Sequence, residues 1–339
     1  MPSANANQPR KKVVMITGAT AGVGRATAHA FAERGWNIGL IARGQKGLAD
    51  TKAEVEERGG RALALTCDVA DADRVEECAR QLEETFGEID VWINNAMLTV
   101  FGRFDDLTPE EFRRVTEVTY LGSVYGTLAA LKRMKPRDRG VIVQSGSALA
   151  YRSIPLQSGY CGAKHALRGF FDSLRCELLH EKSNVRLTMV QFPALNTPQF
   201  EWNLVKLPEH PQPVPPIFQP SVAAEALYWA SQHRRREINV GLMTAVIIWG
   251  NKFLPAFGDW YLGKTGFDSQ KSGEPVSLDR LSNLWHPVEN TYGTRGTFDK
   301  KAKSKSPYFW VSAHRGVVAV VALLVLAGIA GGILAAVAA

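Results

Sequence analysis

Residues 11 to 24, KKVVMITGATAGVG, restrict the fold more than any other stretch of the chain. An apolar run from Val13 to Ile16 stops at Gly18, and Gly22 and Gly24 follow before the alanine-rich ATAHAFAERG. A short apolar run of this kind reads as a strand buried on both faces. Glycines between a strand and a helix permit a tight turn and let the backbone approach a pyrophosphate, whose charge is favoured at the helix N-terminus. The pattern repeats downstream. NIGLIAR (37–43) reads as a strand, LADTKAEVEERGG as a helix, ALALTCDV as a strand, DRVEECARQLEETFG as a helix and IDVWINNA as a strand. Such alternation predicts an α/β fold with a doubly wound parallel sheet and helices on both faces.

The second half continues the alternation. A long helix is expected from Pro109 to about Lys135, with Asp106 or Thr108 as its cap. The strand GVIVQSGS, a helix from Ser158 to about Glu181, the strand VRLTMVQFPA, a helix from Ser221 to about Arg234 and the strand EINVG follow. PEHPQPVPPIFQP carries too many prolines for a helix or central strand and reads as a lid or wall of polyproline character. Residues 242–310, rich in Trp, Gly and Pro, are expected to be irregular but ordered.

Two local patterns carry chemistry. The second strand ends in Ala42-Arg43 with Arg25 in the first helix turn and no acid. An acid there would hold the ribose 2′-hydroxyl of NAD, whereas an arginine accommodates the 2′-phosphate of NADP, so NADP(H) is expected. The second pattern is SGSALAYRSIPLQSGYCGAKHA (145–166), with Ser147 thirteen residues before Tyr160 and Lys164 four after it. Residues four apart share a helix face, so the ammonium of Lys164 can lie beside the Tyr160 phenol and draw its pKa down. Tyr160 could then exchange a proton with a substrate oxygen while Ser147 donates a hydrogen bond to it.

On these motifs residues 11–241 resemble the short-chain dehydrogenase/reductase family, which implies a single Rossmann-type domain. The resemblance rests on Thr17, Gly18, Gly22 and Gly24 in the glycine turn, with Val23 between them. It extends to Asp68-Val69 after the third strand, Asn94, Asn95 and Ala96 after the fourth, Ser147, Tyr160 and Lys164, and Pro193, Ala194 and Thr197 after the sixth. It implies that Asp68 holds the adenine amino group, that Asn95 and Ala96 lie near the ribose and nicotinamide, and that Thr197 contacts the carboxamide. Lys164 would also hold the ribose hydroxyls. Two positions depart from the family pattern. Met97 stands where glycine is usual, and Thr119 stands where an asparagine usually anchors a water of the proton relay. A hydroxyl can hold a water with fewer hydrogen bonds than an amide. The family further implies a dimer or tetramer.

The formal net charge of +7 is concentrated: between Arg295 and Arg315 six basic residues face one acid, Asp299, and the remainder is near neutral. That distribution speaks against a nucleic-acid-binding face. Four cysteines without a CxxC pair suit a reduced compartment, His165 and Cys161 read as packing residues, and no histidine spacing suggests a metal. Residues 1–10 read as a disordered leader, 11–241 as the catalytic domain, and 242–315 as an extension ending in a basic juxtamembrane run. Residues 316–339 contain no charge and are long enough to span a bilayer, which would leave the catalytic domain on the cytoplasmic side. The aromatic Phe200, Trp202 and Phe218 and the tail suggest a lipophilic substrate. The leading expectation is an NADP-dependent carbonyl reductase or alcohol dehydrogenase anchored to a membrane. The alternative is a non-catalytic NADP-binding membrane partner that responds to redox state.

Overall fold

Val13–Thr17 form a strand buried along its whole length (β1), as strands covered by helices on both faces are. Its side chains alternate between two cores. Val13 and Met15 pack with Val75, Leu82 and Phe171 on one side, Val14 and Ile16 with Phe31, Leu48 and Leu227 on the other. The structure, a computed structural model, describes residues 10–277, 279–289, 293–318 and 320. Parallel strands Asn37–Ala42 (β2), Arg61–Thr66 (β3), Val91–Asn94 (β4), Val141–Ser145 (β5), Arg186–Gln191 (β6) and Glu237–Asn239 (β7) complete the sheet in the order β7-β6-β5-β4-β1-β2-β3. The order reverses between β1 and β4. In open α/β sheets ligands bind in the crevice beyond the carboxyl ends of the strands at such a switch point.

Helices Gly22–Ala32 (α1) and Gln45–Glu57 (α2) cover one face, and Ala72–Phe86 (α3) covers the other. The long fourth helix (α4) runs through Pro109–Thr116, a π-helical turn at Glu117–Leu121, and Gly122–Met134. Thr108, not Asp106, caps it: the Glu111 N–H donates to Thr108 Oγ1 (3.3 Å) while the Thr108 N–H donates to the Glu111 carboxylate (2.8 Å). Ser158–His180 (α5) packs beside α4, and Pro220–Gln232 (α6) against α1.

Two expectations about the chain beyond β6 need correction. The proline-rich segment is not simply a polyproline wall, because Glu209–Pro211 pairs antiparallel with Lys271–Pro275 in a separate two-stranded ribbon where proline is tolerated at an edge. Residues 242–265 are not irregular; they form two helices, Leu242–Phe253 (α7) and Pro255–Thr265 (α8). Pro255 takes the first position of α8, where its missing N–H costs nothing. Further on, Ala302–Lys303 pairs in parallel with Ile217–Phe218, which pairs with Ala194–Leu195. A further helix, Pro307–Ala313 (α9), is capped by Ser306, whose hydroxyl donates to the Val240 carbonyl. The expected leader at 1–9 lies outside the described residues. So does the expected span 316–339, apart from residues 316–318 and 320. Among the described residues no helix is long and apolar enough to cross a membrane.

Candidate active site

The carboxyl end of β1 is built around a hydroxyl and an amide. Thr17 Oγ1 accepts the N–H groups of Asn95 (2.9 Å) and Ala96 (3.1 Å). The Asn95 side-chain amide donates to the carbonyls of Thr17 (3.1 Å) and Gly18 (3.3 Å), and its oxygen accepts from the Ser145 hydroxyl (3.2 Å). Gly18 has φ 66° and a Cβ there would meet the Ala96 backbone at 2.8 Å; a Cβ on Gly24 would overlap the Gly18 carbonyl oxygen. The turn therefore requires glycine at both positions. It leaves α1 opening at Gly22 toward a cavity of about 840 Å³ whose lining includes Gly18, Gly22, Val23, Pro193 and Thr197. A glycine cradle at a helix N-terminus, backed by a cavity of that size, fits a dinucleotide.

Ser147, Tyr160 and Lys164 line the same cavity. Ser147 is held from behind: its N–H donates to Gln191 Oε1 (2.7 Å), and its Oγ accepts the Leu149 N–H (3.1 Å). Its hydroxyl lies near enough to the Tyr160 phenol to favour the phenolate. Lys164, 3% exposed, donates from Nζ to the Ser145 carbonyl (2.8 Å) and lies 5.4 Å from the Tyr160 ring centre. Burial pushes the lysine amine down to about 7. Burial also pushes the Tyr160 phenol above the ordinary tyrosine range, offset in part by Ser147, which favours the phenolate. The expected lowering of the tyrosine by the lysine is thus reversed in the protein alone. An amine that has lost much of its charge to desolvation cannot offset the desolvation of a phenol beside it.

Thr119 lies in the π-helical turn and is fully buried. Its hydroxyl donates to the Leu98 carbonyl (3.0 Å) and accepts the Leu98 N–H (2.9 Å), tying α4 to the loop after β4. Met97, on that loop, lines both the large cavity and a neighbouring one of about 150 Å³.

A family model described as short chain dehydrogenase matches residues 12–204. Uncharacterized oxidoreductase YxnA of Bacillus subtilis (strain 168) is 32% identical over 322 residues, which cover 93% of this chain and 89% of that protein. The chain belongs to the short-chain dehydrogenase family. Dehydrogenase/reductase SDR family member 7B of Mus musculus is 35% identical over 185 residues, 53% of this chain and 57% of that protein. Among solved structures, alcohol dehydrogenase from the archaeon Thermococcus sibiricus complexed with 5-hydroxy-NADP is 30% identical with a TM-score of 0.59, covering 68% of this chain and 96% of that one. An actinorhodin polyketide ketoreductase variant with NADPH is 26% identical with a TM-score of 0.61, covering 68% and 95%. The chain is therefore a dehydrogenase/reductase enzyme with a Rossmann-like sheet.

Beyond the carboxyl end of β2 in this dehydrogenase, the smaller cavity is lined by Arg43, Asp68 and Val69 together with Asn283 and Glu289 from the C-terminal extension. The Arg43 guanidinium donates to the carbonyls of Asn283, Leu284 (3.4 Å) and Trp285 (3.1 Å). Asp68 is paired with Arg114, whose Nε also donates to the Leu284 carbonyl (3.1 Å). Arg25 does not face the cavity corner as its position in the first helix turn suggested. It is buried and forms a two-pronged bridge to Glu54, at 2.8 and 2.7 Å. The Glu289 carboxylate accepts the N–H groups of Gln45 (3.3 Å) and Lys46 (3.2 Å) at the start of α2, and the Gly293 carbonyl accepts the Gly22 N–H (3.3 Å). The extension thus supplies acceptors to donors that an anionic cofactor would use. Sequence reasoning missed this segment and Gln191, because no local pattern marks residues that act across more than two hundred positions or from inside a strand.

Two outcomes are expected. Glu289→Gln removes a negative charge from the cavity that Arg43 also lines and should lower KM for NADPH by about fivefold, with a smaller change for NADH; steady-state kinetics with an unchanged NADPH KM would detach Glu289 from the cofactor site. Lys164 is protonated when unfolded and largely neutral when folded between about pH 7 and 10.5, so the unfolded chain binds more protons there and stability rises with pH across that window. The slope is at most about 1.4 kcal/mol per pH unit. Lys164→Met should flatten this rise in thermal melts of the cofactor-free protein at pH 7, 8.5 and 9.5, taken as roughly spaced points in that window.

Proposed function

We propose that this dehydrogenase interconverts a lipophilic carbonyl compound and its alcohol with NADP(H), using Tyr160 as the proton donor and acceptor. The observation that carries the proposal is one cavity that runs from the glycine turn, past Ser147, Tyr160 and Lys164, to a wall that includes Leu149, Phe200, Val214, Ile247 and Leu262. When bound, NADP(H) supplies the hydride. The Ser147 hydroxyl and Tyr160 phenol, which line the same cavity, converge on the place a substrate oxygen would take. In reduction the phenol gives its proton to that oxygen as charge develops, and Ser147 orients and polarises the carbonyl. Lys164, anchored by the Ser145 carbonyl, would hold ribose hydroxyls and, in its protonated form, would favour the phenolate in the opposite direction. Thr119 fixes the loop that carries Met97 and has one lone pair left for a relay water.

Preference for NADP(H) is supported by Arg43 at the end of β2, by the absence of an acid there, and by solved relatives with NADPH or 5-hydroxy-NADP. The lipophilic substrate is supported by the largely apolar wall. The uncharged run 316–339 is the candidate membrane tether, with the enzyme on the side of the basic run that precedes it.

Tyr160→Phe should reduce NADPH-dependent turnover of aromatic and long-chain carbonyls by about a thousandfold or more while NADPH still binds, as measured by quenching of protein fluorescence. Substantial residual turnover would require another proton donor, and wild-type binding of NADPH without turnover of any carbonyl would favour a non-catalytic role. The full-length protein should remain in the membrane pellet after alkaline carbonate; its release would remove the spanning tether.

A further inference from the structure

Helices α7 and α8 present an exposed apolar face that the core does not use and the cavity uses only in part. On α7, Leu242, Val246, Trp249 and Phe253 follow a helical stripe and are exposed, while Thr244, Ala245 and Ile248 face the body. On α8, Phe257, Trp260 and Tyr261 are exposed and no residue of the helix is buried, so its apolar side chains are not a core stripe. Five exposed side chains, Met243, Val246, Leu254, Phe257 and Tyr261, also line the large cavity, which therefore opens at this face. Four do not line it: Leu242, Trp249, Phe253 and Trp260 are 60, 56, 74 and 56% exposed. Substrate contact does not account for these four, and a contiguous apolar face of this kind marks an interaction surface.

The charges around the face select the partner. Lys252 Nζ lies 4.4 Å from the Trp249 ring centre, and Lys264 Nζ lies 4.7 Å from that of Trp260. A lysine ammonium held over an indole face pairs a cation with an aromatic side chain, a combination that suits a lipid headgroup boundary. Asp259, the acid within these two helices, is paired with Arg152 at 2.7 Å. The face is therefore apolar with a cationic rim, which complements an anionic lipid surface. The chain leading to the uncharged run leaves the body nearby: Ser306, the cap of α9, donates to the Val240 carbonyl, two residues before α7 begins.

We infer that α7 and α8 form a platform that seats the folded body on an anionic bilayer surface with the cavity mouth against the lipid. Its use in delivering substrate rests on the lipophilic reading above; its existence does not. The test uses the full chain with vesicles of phosphatidylcholine and phosphatidylserine brominated in their acyl chains. The uncharged run contains no tryptophan, so bromine quenching of tryptophan emission reports the folded body. Trp249→Phe with Trp260→Phe should remove about half or more of the quenching. Phe253→Glu with Trp260→Glu should lower kcat/KM for a bilayer-dissolved long-chain carbonyl by about tenfold and leave that for a short water-soluble carbonyl unchanged. Quenching that the Trp→Phe pair does not alter would overturn the platform. So would a Glu pair that splits a soluble dimer while vesicle quenching persists, since the face would then belong to a second copy. Normal quenching without turnover of any bilayer-dissolved carbonyl would sink the lipophilic reading and leave the platform standing.

Discussion

The side chain of Asn95 joins three strand ends that the rest of the site is measured from. Through its amide nitrogen it holds the carbonyls of Thr17 and Gly18, and through its oxygen the hydroxyl of Ser145. The ends of β1, β4 and β5 are thereby fixed at the switch point of the sheet. One side of this knot sets the glycine turn. The other sets Ser145, whose carbonyl receives Lys164 and so positions the helix that carries Tyr160. The glycine turn and Tyr160 share one reference point because hydrogen bonds in a buried network are directional and costly to leave unmade.

That reference point holds a group the protein does not fully satisfy. Other cations near the cofactor cradle have full complements of partners: Arg114 has Asp68, Arg25 has Glu54, and Arg43 has three carbonyls. Lys164 has the Ser145 carbonyl, and burial is the whole cause of its lowered pKa. Replacing that amine with an apolar side chain would remove an electrostatic cost, so its presence makes physical sense as preparation for ribose hydroxyls and for a phenolate. The same burial raises the phenol of Tyr160. Burial thus shifts both groups toward their uncharged forms.

The sheet was legible because its signal is local and repeated. β1 is apolar throughout and its neighbours follow at helix-length intervals, so period and spacing alone imply the parallel order. The Tyr160–Lys164 spacing was legible because four residues make one helical turn. Helices α7 and α8 were not, because Gly250, Gly258, Gly263 and Pro255 lower helix propensity. One of these serves packing: a Cβ on Gly258 would crowd the Arg152 guanidinium at 3.0 Å. The charge state of Tyr160 was misread because sequence gives the distance between two groups along a helix but not the depth at which both are buried. The pairing of Glu289 with α2 and of Arg43 with 283–285 joins residues more than two hundred positions apart, and such approach has no periodicity to betray it.

The substrate side has its own knot, and it is again an amide. Gln270 is fully buried. Its nitrogen donates to the carbonyls of Pro155 (2.9 Å) and Gly266 (2.6 Å), its side-chain oxygen accepts from Gln157 (2.7 Å), and its backbone carbonyl accepts the Gln212 N–H (2.9 Å). One residue of the extension thereby joins the loop before α5, the end of α8 and the proline-rich segment. Gln157 immediately precedes α5, three residues before Tyr160. The wall of the cavity is thus referenced to Tyr160 from the front, as Asn95 references the glycine turn to it from behind. The extension beyond residue 242 is structurally tied to the body, because Gln270 attaches the cavity wall to the helix that carries Tyr160 and Lys164.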